Sequence, residues 1–159
     1  LKDSKKLSPK RRADLANALW KTARIGVGIS SVEEIDDLNI LQATMLAMSR
    51  AAAHLPVAPA TCIVDGTVKP KLPCPAYMVV KGDAKSKSIA AASIIAKVTR
   101  DRMMLELSRE FPGYGWDSNK GYGAKAHRDG LDTLGVTPHH RRSFAPVRNR
   151  LDAHDTAFC

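Results

Sequence analysis

The sequence is organised around two adjacent segments, Val-Val-Lys-Gly-Asp at residues 79–83 and Ser-Ile-Ala-Ala-Ala-Ser-Ile-Ile-Ala-Lys-Val-Thr-Arg-Asp at residues 88–101. The apolar run 78–80 is typical of a buried strand, and the glycine after it predicts a turn that leaves Asp83 at the strand end. The second segment predicts a helix whose small side chains allow close packing against a neighbour. We therefore expect a strand, an acid-bearing turn and a tightly packed helix.

A second aspartate stands in a similar setting upstream. Cys-Ile-Val at residues 62–64 predicts a short strand, and Asp65 and Gly66 follow it. If the two strands share a sheet, Asp65 and Asp83 converge, and converging carboxylates bind hard divalent cations through oxygen. The pattern indicates a metal-dependent nuclease, although aspartates beside glycine at strand ends are also common turn formers.

The charge balance favours a polyanionic partner. The chain has 159 residues, with 25 Lys and Arg against 16 Asp and Glu, which gives a formal net charge of +9. Such a surplus favours nucleic acid, because neutralising phosphates releases condensed counterions, and binding should then weaken steeply with salt. A soluble basic protein without such a partner is the alternative that composition leaves open.

The cysteines and the hydropathy pattern bear on compartment. Cys62, Cys74 and Cys159 have no Cys-x-x-Cys spacing and cannot all pair, which favours a reducing compartment such as the cytoplasm. No apolar run is long enough to span a bilayer, so we expect no membrane role.

Helical and strand patterns alternate along the chain. Ser8 and Pro9 predict the start of an amphipathic helix, residues 25–29 alternate apolar residues with small ones as in a strand, and Ser31 and Glu34 match a capping box. The capping box predicts one helical stretch towards Leu55. This alternation predicts an α/β layer architecture.

The predicted domain organisation is simple. With no internal repeat and no sharp change in composition, residues 1–150 are expected to form one domain. The segment 151–159 lacks periodicity and is expected to be a disordered tail.

Seven motifs in chain order closely resemble those of bacterial ribonuclease HII. They are Asp-Ser-Lys-Lys-Leu-Ser at 3–8, Leu-Asn-Ile-Leu at 38–41, Ile-Val-Asp-Gly at 63–66, Lys-Gly-Asp at 81–83, the stretch 91–101, Lys-Gly-Tyr at 120–122 and His-His-Arg-Arg-Ser-Phe at 139–144. The resemblance runs from residue 1 to about residue 149.

The resemblance implies a ribonuclease H-like α/β fold, with a mixed sheet flanked by helices. It implies an endoribonuclease that uses Mg²⁺ or Mn²⁺ to hydrolyse the RNA strand of RNA–DNA hybrids. It also implies cutting 5′ of ribonucleotides embedded in duplex DNA, leaving a 3′-hydroxyl and a 5′-phosphate, as ribonucleotide excision repair requires. The expected partners are those two nucleic acids, and the expected state is a cytoplasmic monomer.

Site residues follow from the same resemblance. Asp65 and Asp83 stand where the family has two catalytic, metal-binding acids, and Tyr122 stands where it has a tyrosine that packs against the sugar beside the ribonucleotide. Four lysines adjoin the motifs and are candidate phosphate contacts: Lys5, Lys6, Lys81 and Lys120.

The sequence departs from the family pattern in one respect. The family carries an adjacent Asp-Glu pair and a Gly-Arg-Gly turn on its first strand, before the motif matched at residues 3–8, and neither occurs here. The acidic pairs at 33–34 and 36–37 come after that motif and cannot replace the missing pair. We therefore expect the first strand to be absent from this chain, and residues 1–159 to cut hybrids far more slowly than a chain extended upstream.

Other candidate residues have simpler explanations. Asp101 lies inside a predicted helix beside arginines, which favours an ion pair over metal binding. His139 and His140 point apart on any regular element and lack a third ligand at zinc spacing, which favours a structural role or contact with a nucleic-acid backbone. Two alternatives to the enzyme remain: a non-catalytic nucleic-acid-binding module, and a protein-interaction domain. Dependence of cleavage on a divalent ion separates the three.

Overall fold

The computed structural model describes residues 7–156, with side chains as far as Asp152. Within that part of the chain, eight helices and two strands occur in the order α1 Pro9–Thr22, α2 Val32–Leu38, α3 Ile40–Ala53, β1 Cys62–Asp65, β2 Ala76–Val79, α4 Gly82–Lys85, α5 Lys87–Glu110, α6 Trp116–Asn119, α7 Lys125–Leu134 and α8 Ala145–Thr156. Strands β1 and β2 pair in parallel. The predicted α/β architecture is confirmed.

The described residues form two compact units. The first unit contains residues 7–30 and Leu41–Thr99, and the second contains Ser31–Ile40 and residues 100–156. Each unit is therefore built from two separate stretches of sequence. The single domain over residues 1–150 stays a prediction.

The first unit packs its helices through small and branched residues. One core cluster of this unit is formed by the buried residues Ala16 of α1 with Ile94 and Ile95 of α5. Around them lie partly buried apolar side chains: Leu7, Leu15, Leu19, Ile25, Val27 and Val98. The Ser8 side chain accepts a hydrogen bond from the Arg11 amide at 3.3 Å and caps α1, as the sequence predicts.

The strand predicted at residues 25–29 does not form in the described structure. Gly26 and Gly28 instead lie against α3, where a Cβ at Gly28 would be 2.0 Å from the Ala47 carbonyl oxygen. Two side chains form hydrogen bonds with the backbone carbonyl groups of this segment. Arg50 of α3 donates to the Ile29 carbonyl, and a ring nitrogen of His54, the residue after α3, bonds the Val27 carbonyl, both at 2.7 Å. The alternating pattern thus reflects packing against a helix.

The capping box is confirmed, but the helix that follows it is shorter than predicted. Ser31 and Glu34 exchange hydrogen bonds of 2.8 and 3.2 Å at the start of α2. Asn39 then adopts a φ of 69°, which ends α2 and separates it from α3. Asparagine tolerates this left-handed region better than most residues, so one predicted helix becomes two.

The second unit encloses an aromatic core. Its buried residues are Tyr114, Trp116, Leu131 and Val147. The Tyr114 and Trp116 rings stack with centroids 5.0 Å apart. The segment 114–123 contains the short helix α6, bounded by the left-handed residues Gly115 and Lys120.

The end of the chain differs from the prediction of disorder over residues 151–159. Helix α8 continues to Thr156, because Leu151 packs against the core of the second unit. Residues 157–159 lie outside the described part. No helix in residues 7–156 is both long and apolar enough to cross a bilayer.

Cys62 and Cys74 lie together as thiols. Their Sγ atoms are 3.4 Å apart. Burial, followed by the hydrogen bond with Cys74, raises the pKa of Cys62 to about 11. Because the thiolate is the reactive form, Cys62 should be a poor nucleophile at neutral pH. Cys159 lies outside the described residues.

Candidate active site and nucleic-acid interface

The parallel strand pair places Asp65 at the carboxyl end of β1. Asp65 stands opposite Val79, the last residue of β2. The chain then turns through Lys81, whose φ is 55°, into α4. Asp83 therefore lies in the first turn of a short helix rather than directly at a strand end, which corrects the prediction. The cause is the left-handed Lys81, which starts the helix one residue later.

A hydrogen bond links the Asp65 side chain to the backbone of the residue before Asp83. The Gly82 amide donates to Asp65 Oδ1 at 2.7 Å, and Asp83 is the next residue. Gly82 is buried, and a Cβ there would be 2.5 Å from Ile89 Cδ1 and 3.3 Å from Asp65 Oδ1. Asp65 is exposed and Asp83 half-buried. Both are therefore held near one another at the solvent-facing end of the sheet.

This pair fits one hard divalent cation by donor type. Mg²⁺ keeps several waters and is commonly held by one or two carboxylates together with substrate phosphates. Among residues 7–152, no group of three or more His, Cys, Asp or Glu side chains is placed to hold a metal. The described residues therefore offer the carboxylates for one ion, fewer than a two-ion centre requires.

Tyr122 projects from a tightly turned loop in the second unit. Lys120 and Gly121 have φ values of 52° and 79°, and the Tyr122 side chain is 64% exposed. The Asn119 side chain fixes the turn, since its amide group donates to the Tyr114 carbonyl and its oxygen accepts from the Gly121 amide, both at 2.8 Å. The ring is thus presented to solvent on a rigid support.

Two buried histidines, His127 and His140, form a hydrogen-bonded pair that supports the same loop. The Tyr122 carbonyl accepts a hydrogen bond from His127 Nδ1 at 3.0 Å. His140 Nδ1 accepts from the Thr137 amide at 3.0 Å, so its proton lies on Nε2, which donates to His127 Nε2 at 3.1 Å. The Trp116 indole also donates to His127 Nε2, at 3.2 Å. These bonds require both rings to be neutral.

The structural interpretation of the histidine motif therefore applies to His140. His140 is 4% exposed, whereas its neighbour His139 is exposed at the surface. Burial, followed by the nearby His127, lowers the pKa of His140 to about 4. No local pattern indicated that His127 and His140 would meet, because His127 lies on α7 and His140 lies 13 residues later in a turn.

This arrangement predicts loss of stability in mild acid. Unfolded His140 binds a proton near its ordinary pKa of about 6.5, whereas folded His140 resists protonation until about pH 4. The free energy of unfolding should therefore fall as pH drops from about 6.5 to about 4, by up to about 3 kcal/mol. Denaturant unfolding across that range measures the decline. His140→Gln should flatten it. His139→Gln removes only the smallest of the causes of the lowered pKa of His140, so it should change the decline much less. Equal pH dependence in the two variants would contradict the role given to His140.

The four candidate lysines have different surroundings. Lys81 is exposed at the turn between Asp65 and Asp83. Lys120 directs its ammonium group to the Asp117 carbonyl, which occupies one of its donors. Lys5 and Lys6 lie outside the described residues. Only Lys81 is therefore seen beside the carboxylates.

Three arginines near Tyr122 were not among the predicted site residues. Arg100 lies over the Tyr122 ring, with its guanidinium carbon 5.6 Å from the centroid, and donates to the Lys120 carbonyl at 2.7 Å. Arg128 donates to the Gly123 carbonyl at 2.8 Å. Arg141 lies 3.6 Å from the Phe144 ring centroid. Only Arg141 fell in a recognised basic cluster, because single arginines on helices carry no distinctive pattern.

Asp36, which the sequence could not assign, has a structural role. Its carboxylate accepts from the Arg142 amide at 2.8 Å and from the Ser143 amide and hydroxyl at 2.9 and 2.6 Å. Burial acts to raise its pKa, but the hydrogen bonds from Ser143 and Arg142 outweigh burial and lower it. Asp36 therefore orders the loop that carries Arg141 and is not placed to act as a metal ligand.

Comparisons with known proteins bear on the family of the chain. The ribonuclease HII family model matches residues 1–147. Ribonuclease HII of Gluconobacter oxydans (strain 621H) is 55% identical over 155 residues, covering 96% of this chain and 75% of that protein. The ribonuclease HII of Parvibaculum lavamentivorans is 57% identical over 152 residues, covering 95% of this chain and 56% of that protein. The chain thus spans about half to three quarters of these relatives' length.

A solved structure extends the similarity to the fold. The crystal structure of the ribonuclease H2 from Pyrococcus horikoshii OT3 matches with a TM-score of 0.73 and 26% sequence identity, over 96% of this chain and 81% of that one. The fold expected from the sequence motifs is therefore confirmed.

Proposed function

Because the chain belongs to the ribonuclease HII family, a family of endoribonucleases, we propose that it hydrolyses the RNA strand of RNA–DNA hybrids. We further propose that it cuts 5′ of single ribonucleotides in duplex DNA, leaving a 3′-hydroxyl and a 5′-phosphate, and so serves ribonucleotide excision repair. The observation that carries the proposal is the hydrogen bond from Gly82 to Asp65, which brings Asp65 and Asp83 to one end of the sheet.

Asp65 and Asp83 would hold the divalent ion, Mg²⁺ or Mn²⁺. When bound, that ion would activate water and stabilise the leaving oxygen of the phosphodiester. The Gly82 amide orients Asp65 by donating to Oδ1, and Oδ2 would be the oxygen offered to the ion. The left-handed turn at Lys81 fixes the approach of Asp83, and the exposed Lys81 ammonium supplies positive charge for a neighbouring phosphate.

Substrate contact is assigned to the second unit's loop as well. The exposed Tyr122 ring offers a flat apolar face for the sugar beside the ribonucleotide, and the His127 bond to its carbonyl keeps the loop from shifting. Lys120, and Lys5 and Lys6 outside the described residues, are proposed as further phosphate contacts. We also propose that the protein acts as a monomer in the cytoplasm.

A second function is supported by the small number of acids at the site. The described residues bring only Asp65 and Asp83 together, and the net charge of +9 favours binding to nucleic acid whether or not cleavage follows. A non-catalytic binding module is therefore the alternative.

Three labelled duplexes test the proposal: an RNA–DNA hybrid, DNA with one embedded ribonucleotide, and DNA alone. With Mg²⁺ or Mn²⁺, residues 1–159 should cut the first two duplexes, far more slowly than a chain extended upstream does, and should leave the third intact. Nothing should be cut in EDTA. Binding to all three without cleavage under any condition would support the binding module, and cleavage in EDTA would contradict the role of the carboxylates. Mapping of the product ends checks the position of the cut.

A further inference from the structure

A cleft of about 240 Å³ in the second unit is lined by basic side chains. Three arginines, Arg100, Arg128 and Arg141, contribute to its wall, together with the exposed His139 and the buried, neutral His140. Within the part of the chain that the structure describes, no aspartate or glutamate lines the cleft. Its other walls include apolar residues such as Met104. A basic cleft of this composition favours an anionic ligand.

Two of the guanidinium groups are held in place by the loop that carries Tyr122. Arg100 donates to the Lys120 carbonyl and Arg128 to the Gly123 carbonyl. Each bond uses one of several N–H donors on a planar guanidinium, so the group retains donors for a second acceptor. Arginine matches phosphate particularly well, because its fork of donors bonds two phosphate oxygens at once. The loop therefore positions both arginines for a phosphate.

Arg141, the third arginine of the cleft, lies close to another positive charge. Burial, followed by the charge of Arg100, lowers the pKa of Arg141. The opposing carboxylate is Asp36, which already accepts three hydrogen bonds from Arg142 and Ser143. An anion in the cleft would relieve the repulsion between the guanidinium groups.

We propose that this cleft binds one phosphate of the nucleic-acid backbone, held by Arg100, Arg128 and Arg141. The assignment rests on the proposed function, since it names a subsite for the same substrate. The bound phosphate would lie beside the Tyr122 loop, because Gly121 and Gly123 on either side of Tyr122 also line the cleft. Arg100, which contacts both the cleft and the Tyr122 ring, links phosphate binding to the sugar contact.

The test measures binding to a fluorescein-labelled RNA–DNA hybrid in EDTA, by anisotropy, from about 50 to 200 mM salt. Arg128→Gln is the deciding variant, because Arg128 is exposed and should be replaceable without unfolding. Arg141→Gln accompanies it, with melting temperature recorded, since Arg141 packs on Phe144. Arg148→Gln is the matched control: Arg148 is an exposed arginine of the same unit that does not line the cleft.

We expect Arg128→Gln to make the plot of log affinity against log salt shallower by up to about 0.9, the value for one phosphate contact. Affinity should fall about threefold to tenfold at the lower salt, and Arg148→Gln should change neither quantity by as much. Equal slopes for the wild type, Arg128→Gln and Arg148→Gln would overturn the proposal. Inorganic phosphate should compete for the cleft only weakly; if it binds tightly while Arg128→Gln leaves hybrid binding unchanged, the cleft is a site for free phosphate and the proposal fails.

Failure of this proposal is distinguishable from failure of the proposed function. Hybrid cleavage with an unchanged salt slope in Arg128→Gln would remove the phosphate subsite and leave the nuclease. A shallower slope in a protein that never cuts the hybrid would keep the subsite and remove the nuclease.

Discussion

In a chain extended upstream of residue 1, replacing Asp65 or Asp83 with asparagine is expected to lower turnover of an RNA–DNA hybrid by about 100-fold or more. Loss of even a group that merely supports a metal ligand typically weakens metal affinity about 10-fold to 100-fold, and loss of a ligand should cost at least as much. Asparagine keeps the size of the side chain, and at position 65 it still accepts the Gly82 hydrogen bond. Turnover against Mn²⁺ concentration measures the effect, with direct Mn²⁺ binding as a second readout.

The fold should survive these two changes. Removing one of two neighbouring carboxylates relieves their repulsion in the absence of metal, so the melting temperature should stay unchanged or rise slightly. Asp101→Asn is the internal control, because Asp101 lies well inside α5, and it should affect turnover less. Wild-type rates and Mn²⁺ affinity in the Asp65 and Asp83 variants, or losses explained by unfolding, would make these residues structural turns.

Replacing Gly28 with alanine is expected to destabilise the first unit by roughly 3 kcal/mol or more. The added Cβ would lie 2.0 Å from the Ala47 carbonyl oxygen and 2.4 Å from the Ala51 amide nitrogen, both backbone atoms of α3. A helix backbone cannot move aside as a flexible side chain can, so the segment must separate from α3. Denaturant unfolding gives the free energy, and the melting temperature should drop by about 2–4 °C for each kcal/mol.

Gly123→Ala provides the matched control for this substitution. Nothing lies within 4 Å of a Cβ built at Gly123, and its φ is not positive. The Arg128 hydrogen bond goes to the Gly123 carbonyl, which alanine keeps. Stability of Gly123→Ala should therefore stay close to that of the wild type. A loss as small in Gly28→Ala would show that residues 25–29 do not pack on α3.

The local sequence was sufficient for features that depend on neighbouring residues. Ser8 and Ser31 cap helices because their hydroxyls reach backbone amides three residues ahead. The apolar runs before Asp65 and Lys81 form strands, although their parallel pairing was left open by the sequence. The same motifs indicated the family and, through it, Asp65, Asp83 and Tyr122 as candidate site residues, whose catalytic and binding roles stay predictions.

Tertiary structure decided what depends on residues distant in the chain. Residues 25–29 alternate apolar and small residues as a strand does, yet their glycines allow the backbone of α3 to approach closely. Sequence periodicity does not distinguish a strand from a segment packed against a helix. His127 and His140 form one buried hydrogen-bonded pair, and Arg100, Arg128 and Arg141 line one cleft, although no local pattern connects them. Caps and strands arise from short-range hydrogen bonding and periodic burial, whereas clusters of this kind arise only when folding brings separate segments of the chain together.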